Sequence, residues 1–246
     1  MVTKNQIKRI KSLHQKKYRK EHQLFIAEGV KVIQELLQSS FVLEHLYVTD
    51  ALDFGVSADR VTQVSAEDLK KMSALTTTPN CLAVFHCLAH QPVDFSDWVV
   101  ALDDIRDPGN LGTIIRLCDW FGIRHLVCST ETVDVYNPKV IQATMGSVSR
   151  VNIEYTDLRN LLQRVEVPIY GTFLGGENIY EMKKIQPGVI VMGNEANGIS
   201  SEIEQLVSRK ITIPRFGDLQ QTESLNVAMA TSIVLSEFRR IVFNAQ

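Results

Sequence analysis

The chain contains no uninterrupted apolar stretch near the roughly 20 residues that a membrane-spanning helix needs, and its N-terminus is basic and polar where a secretion signal would be apolar. A membrane protein is therefore not expected, and the sequence points to the cytoplasm. Cysteine is scarce: Cys81, Cys87, Cys118 and Cys128 form no CxxC pair, and three of them sit in apolar runs. That pattern speaks for buried, reduced thiols and against a redox pair or a metal site. No GxGxxG fingerprint is present, which disfavours a nicotinamide-dependent dehydrogenase, and no Walker lysine, which disfavours a nucleoside-triphosphate site. Internal repeats and low-complexity tracts are missing as well. Acidic residues are absent from the first 20 positions, although the whole chain has a net charge of −2.

What is present suits an ordinary globular enzyme or binding protein. With 246 residues and 45% hydrophobic content, the chain can bury a sizeable core, read here as two domains, 1–90 and 95–246. The acid-free N-terminal stretch carries Lys4, Lys8, Arg9, Lys11, Lys16, Lys17, Arg19 and Lys20. So dense a positive block repels itself unless a polyanion neutralises it, which makes a phosphate backbone a natural partner. A solvated, frayed terminus is the alternative.

Hydrophobic periodicity predicts a short strand at 24–27, then a helix over 28–38 with Val30, Val32, Ile33, Leu36 and Leu37 at helical spacing. Strands are expected at 44–48, 60–64 and 82–87, with a helix capped by Ser65 between the last two. This is a small α/β domain, followed by a polar, proline-bearing linker at 88–94. Beyond it, apolar strand candidates at 98–102, 125–129, 168–173, 188–192 and 210–213 alternate with helical patterns. Near-continuous apolar strands separated by helices indicate a mostly parallel sheet covered on both faces. Ligands of such sheets sit beyond the carboxyl ends of the strands.

Three loops at those ends carry the unusual residues. The first, 103–112, leads into a helix whose buried stripe is Leu111, Ile114, Ile115, Cys118 and Phe121. Asn110 is placed to cap that helix, and Gly122 suits its left-handed stop. Arg116 falls off the stripe, so it faces either a cleft shared with Asn110 or a surface carboxylate such as Asp119. In the second loop, Gly193 and Gly198 allow close backbone approach and flank Glu195, while Ser201 with Glu204 offers a capping box. The third segment holds Ile213-Pro214 and then Ser224, a candidate cap for a helix with Asn226 in its first turn.

Together these segments resemble the SpoU-type RNA ribose 2′-O-methyltransferases of the SPOUT class. The family's Asn-x-Gly-x-x-x-Arg motif is matched by Asn110, Gly112 and Arg116, its second motif by Gly193-Asn194-Glu195 with Gly198-Ile199-Ser200, and its third by Ile213-Pro214 with Ser224-Leu225-Asn226-Val227. The resemblance extends to the N-terminal domain, which is similar to the ribosomal-protein-L30-like substrate-binding module of many members.

The resemblance implies an α/β fold whose C-terminal domain carries a deep trefoil knot, with S-adenosylmethionine held by Gly193, Asn194, Gly198, Ile199, Ile213 and Leu225. It implies methyl transfer to a ribose 2′-hydroxyl of RNA, ribosomal in preference to transfer RNA, with Arg116, Asn110, Glu195, Ser224 and Asn226 as the catalytic set. The charge of the basic block assigns RNA contacts to Lys8, Arg9, Lys11, Lys16, Lys17, Arg19 and Lys20, and the resemblance further implies a homodimer in which Arg116 of one subunit serves the cofactor site of the other. A non-catalytic RNA-binding protein on the same fold is the alternative, and the intact Asn110, Arg116, Glu195 and Asn226 count against it. Two departures stand out: the 215–223 loop is longer than the compact family loop, and Trp120 is bulkier than the small residue expected there.

Overall fold

The computed structural model describes residues 2–219 and 224–244. They pack as two compact units: one runs to Ala89 and also includes Asp134–Ser149, and the other comprises His90–Val133 and the chain from Arg150 onward.

The first unit begins with α1 (Lys4–Ser12) and α2 (Lys16–His22). Thr3 starts α1 through a reciprocal capping box with Gln6, which satisfies two amides that a helix start leaves unpaired. Then follow β1 (Leu24–Glu28), α3 (Val30–Leu37), β2 (Leu43–Val48), β3 (Val61–Gln63), α4 (Ala66–Met72) and β4 (Cys81–His86). Ser65 caps α4 by accepting from the Asp68 amide, as its sequence predicts. The sheet order is β1-β4-β2-β3, with β1 and β2 antiparallel to β4 and β3 parallel to β2. Every residue of β1 is buried, which explains why this strand reads as a continuous apolar run. Leu24, Ile26, Leu82 and Val84 pack with Ile10, Leu13, Leu69 and Met72, while Phe25 turns the other way and meets Phe41 and Phe85.

The rest of the chain supplies β5 (Val99–Asp103), α5 (Pro108–Trp120), β6 (His125–Ser129), α6 (Pro138–Thr144, in the first unit), β7 (Asn152–Thr156), α7 (Leu158–Leu162), β8 (Ile169–Asn178), β9 (Val189–Gly193), α8 (Ser201–Glu204), β10 (Arg209–Thr212) and α9 (Val227–Asn244). The six strands form one all-parallel sheet in the order β10-β8-β9-β5-β6-β7. Strand β7 escaped the sequence reading because Asn152, Glu154 and Thr156 interrupt it; as an edge strand it is only partly buried. Gly122, at φ +68°, follows the end of α5 as expected.

Residues 134–149 fall within the 95–246 span expected as the C-terminal domain, yet they pack with the first unit. The Tyr136 ring lies tilted against Phe25, with centroids 4.7 Å apart, and its hydroxyl accepts from the Leu88 amide. Asp134 accepts from Arg19 Nε at 2.9 Å and from its terminal nitrogen at 2.5 Å.

That pairing corrects one expectation: Arg19 is not an RNA-facing residue. Its side chain is only 3% exposed, and it also donates to the carbonyls of Leu13 and His14. Arginine's planar fork can serve several acceptors at once, which makes it suited to a buried brace between helices. Lys8, Lys11, Lys16, Lys17 and Lys20 are exposed, and exposed Arg9 lies 3.4 Å from Glu44. Burial pushes the thiols up, Cys81 to about 11 and Cys87 to about 12, with Cys118 and Cys128 raised as well. All four are free cysteines, and they stay protonated near neutral pH.

Candidate active site

Strands β5 and β9 are neighbours in parallel register, with Leu102 beside Met192 and Asp103 beside Gly193. The loops leaving their carboxyl ends therefore emerge side by side. In the first loop, Asp107 rather than Asn110 caps α5: its carboxylate accepts from the Asn110 amide at 2.8 Å, and Pro108 occupies the first helical position. The cap expected at Asn110 is thus corrected: Asp107 takes that position, because the fixed φ of Pro108 suits the first helical residue and leaves the cap to the residue before it.

Freed from capping, the Asn110 side chain turns to the neighbouring loops. Its Nδ2 donates to Glu195 Oε1 at 2.5 Å and its Oδ1 accepts from Asn226 Nδ2 at 2.9 Å. Asn226, not Ser224, caps α9, because its Oδ1 accepts from the amides of Ala228 and Met229. With that oxygen committed to the helix, the Asn226 amine must point at Asn110, whose own amine then points at Glu195. The result is a one-way hydrogen-bond chain from the N-terminus of α9 to a carboxylate. The capping box expected from Ser201 and Glu204 does not form: α8 is preceded by Ser200 with no side-chain cap, and Glu204 pairs with Lys210 at 2.5 Å.

The second loop closes on itself. Asn194 and Gly198 exchange two backbone hydrogen bonds, and Asn194 Oδ1 accepts from the amides of Ala196 and Asn197. Gly198 sits at φ +69°. A Cβ on Gly193 would lie 2.3 Å from the Gly198 carbonyl carbon, so only glycine permits this turn.

Gly193, Asn194, Gly198, Ile199, Ile213 and Leu225 all line one cleft of about 1580 Å³, together with Glu195 and Ser224. Its volume exceeds the several hundred Å³ typical of a single small-ligand pocket, and its walls mix apolar residues such as Phe173, Ile199 and Ile213 with polar and charged ones such as Asn194, Glu195, Lys210 and Arg215. Arg116 does not line this cleft. It is exposed and forms no hydrogen bond or ion pair among the described residues; Asp119, its alternative partner, is taken by Arg150 at 2.9 Å. Of the longer 215–223 loop, Phe216 lines the cleft and is 82% exposed, while residues 220–223 lie outside the described residues. The sequence reading missed Asp103 and Asp104, whose only signal was their place at the end of an apolar strand. No group of three potential metal ligands occurs among the described residues, and no helix there is long and apolar enough to cross a membrane.

A parallel sheet whose carboxyl-end loops converge on a glycine-walled cleft defines an α/β protein with a preformed small-molecule site. Residues 97–236 match the SpoU rRNA Methylase family, and the chain belongs to that family. Residues 4–83 match the MRM3-like substrate binding domain. The chain is similar to the 23S rRNA (guanosine(2553)-2′-O)-methyltransferase RlmP of Bacillus subtilis, 29% identical over 96% of this chain and 97% of that protein. Among solved structures it is similar to a TrmH-family protein from Porphyromonas gingivalis, at 38% identity and TM-score 0.87 over 98% of this chain and 99% of the other. It is likewise similar to an AdoMet-bound rRNA methyltransferase from Sinorhizobium meliloti, at 30% identity and TM-score 0.86 over 98% and 96% of the two chains.

Proposed function

We propose that this protein transfers a methyl group from S-adenosylmethionine to a ribose 2′-hydroxyl of structured RNA. The observation that carries the reading is the convergence of the six cofactor candidates on one cleft, beside the chain of Asn226, Asn110 and Glu195. The residues fit the cofactor: Gly193 leaves room for close backbone approach, Ile199, Ile213 and Leu225 offer apolar surface to an adenine, and Asn194 rigidifies the loop between them. When bound, S-adenosylmethionine supplies an activated methyl group on a good leaving group.

The protein's own task is then to align a hydroxyl and ease the loss of its proton, and alignment alone can remove several kcal/mol of barrier. Arg116 has a guanidinium uncommitted to any partner among the described residues. Its role is to stabilise developing negative charge on the ribose oxygen through the guanidinium's planar array of donors. Asn110, Glu195, Ser224 and Asn226 orient the ribose. The need for a 2′-hydroxyl selects RNA over DNA.

Ribosomal RNA is the preferred substrate, supported by the name of the relative of matching length. A homodimer is supported by large apolar side chains left exposed on α5 and α9: Trp120 at 84%, Met229 at 61% and Phe243 at 78%. It would bring Arg116 of one subunit to the cleft of the other. The family's knot, formed by the chain after about Gly193, belongs to the same reading, as does division of labour between a substrate-binding domain at 1–90 and a methyltransferase domain at 95–246.

Calorimetric titration with S-adenosylmethionine and S-adenosylhomocysteine tests the core of this reading: micromolar-range binding is expected, and no binding of either to folded protein would sink it. Mapping 2′-O-methyl nucleotides by mass spectrometry, in cells with and without the protein, identifies the substrate.

Two substitutions probe the parts. Asn110→Asp sets a second carboxylate against Glu195 and deletes the donor, so cofactor affinity and turnover together are expected to fall by about tenfold or more. Normal affinity and rate would remove Asn110 from the site. Changing Lys8, Lys11, Lys16, Lys17 and Lys20 to glutamine is expected to weaken RNA binding and flatten its salt dependence, by roughly 0.7–0.9 in log–log slope for each phosphate no longer neutralised. An unchanged slope would make α1 and α2 a solvated surface only.

A further inference from the structure

We propose that Asp103 and Asp104 are positioning residues for cofactor binding, acting together as a clamp on the two ends of the 194–200 loop. The inference rests on the cleft being the S-adenosylmethionine site.

Asp103 is the last residue of β5, beside Gly193, and is 8% exposed. Its Oδ2 accepts from the Ser200 amide at 2.7 Å. It forms no ion pair among the described residues, and burying a carboxylate without a cation is unfavourable. A neutral side chain could accept one amide at lower cost. What the charged acceptor adds is a shorter, stronger hydrogen bond, and here that bond holds the far end of the loop.

Asp104 holds the near end. Its carbonyl accepts from Asn194 Nδ2 at 2.7 Å. Its φ of +60° lies in the left-handed region, which costs a residue with a Cβ some strain, less for Asp and Asn than for others, and is held by local constraint. Three contacts supply that constraint. Its amide donates to Ser129 Oγ at 2.9 Å, its carboxylate accepts from Arg106 Nε at 2.8 Å, and its carbonyl makes the bond to Asn194 just described. Ser129 is in turn hydrogen-bonded to Thr132 at 3.1 Å, and both hydroxyl residues are buried. Backbone strain that is over-determined in this way clusters at functional sites. The turn at Asp104 lets a side chain and the following carbonyl both address one neighbouring loop.

Between the clamped ends lie Glu195, Gly198 and Ile199, which line the cleft, whereas Asp103 does not. Asp103 therefore acts on the cofactor through the shape of the loop. Without the clamp the loop would have to be ordered at the expense of binding, which lowers affinity more than it lowers the rate of the bound complex.

The experiment compares wild type with Asp103→Ala, Asp103→Asn and Ser200→Pro in the full-length protein. Ser200→Pro removes the donor from the opposite side, at a residue whose φ of −61° proline can adopt, and because its ring carbon takes the place of the amide hydrogen the Asp103 carboxylate must also turn away. Dissociation constants for S-adenosylmethionine and S-adenosylhomocysteine are measured by calorimetry, and turnover at saturating cofactor with RNA. Asp103→Ala and Ser200→Pro are each expected to raise both dissociation constants about tenfold or more, with turnover at saturation falling far less. Asp103→Asn, which keeps an acceptor oxygen, is expected to recover most of the affinity, and the double variant to be no worse than the poorer single one. Unchanged affinity in Asp103→Ala and Ser200→Pro, or additive losses in the double variant, would overturn the clamp. A loss confined to the positively charged S-adenosylmethionine would overturn it too, by showing that the charge of Asp103 acts directly on the sulfonium. If Asp103→Ala does not fold, Ser200→Pro and Asp103→Asn carry the comparison. Failure of wild type to bind either ligand would refute the cofactor reading itself, which separates the two ideas.

Discussion

Replacing Arg116 with alanine is expected to lower methyl transfer by about a hundredfold or more at saturating cofactor, while affinity for S-adenosylmethionine stays within about twofold. The magnitude follows from removing one preorganised charge from a site where negative charge develops on oxygen. The selectivity follows from the structure: Arg116 is exposed, lies outside the cleft and has no partner among the described residues, so its loss leaves the cofactor loops and the fold untouched. Lysine should rescue poorly, because an ammonium lacks the planar fork that can grip an oxygen and a neighbouring phosphate together. Single-turnover rates and calorimetric titration check the two halves separately. Equal losses of rate and affinity would show that Arg116 holds the cofactor and that its assigned role is wrong. In the proposed dimer, mixing Arg116→Ala subunits in equal amount with subunits carrying an inactive cleft should restore up to about a quarter of the activity once subunits exchange freely, because about half of the dimers are then mixed and each mixed dimer has one competent site of two.

The second large effect concerns stability. Asp134→Ala leaves Arg19, 3% exposed, without its carboxylate. Removing one partner of a buried ion pair typically costs about 3–5 kcal/mol, against a total domain stability of roughly 5–15 kcal/mol. Asp134 is itself 16% exposed, so water can reach part of the site and the lower end of that range applies. The double change Arg19→Met with Asp134→Leu is expected to recover most of the loss, since it removes the stranded charge along with the pair. Thermal melts and hydrogen exchange localised to residues 2–89 measure both. A change below about 1 kcal/mol for Asp134→Ala would mean that the Leu13 and His14 carbonyls suffice for Arg19. By the same reasoning, a fragment ending at Ala89 is expected to be unstable, lacking both Asp134 and the Tyr136 ring packed on Phe25.

Much of this was legible in the linear chain, for identifiable reasons. Strands β5 and β9 are buried on both faces, so they appear as unbroken apolar runs that periodicity detects. Gly122 and the glycines of the 193–198 turn meet backbone requirements that few other residues can meet. What misled was local chemistry with several candidates. Asp107 and Asn110 are both good caps, as are Ser224 and Asn226, and spacing alone does not choose between them. The choice was made by Pro108 in one case and by the partners across the sheet in the other. Arg19 looked like one more cation in a basic block, because nothing near it in sequence hints at Asp134.

The sequence by itself determined the alternation of strands and helices, the motifs that carry the family resemblance and the three loops that hold the polar residues. These are local patterns of side-chain polarity and backbone conformation, and they survive in one dimension. Only the tertiary structure decided that Asn226, Asn110 and Glu195 form a directional chain, that Asp103 and Asp104 grip a loop some ninety residues away, and that residues 134–149 complete the first unit. The physical reason is that hydrogen bonds and buried charges are satisfied by whichever group folding brings within about 3 Å, and that distance has no counterpart along the chain.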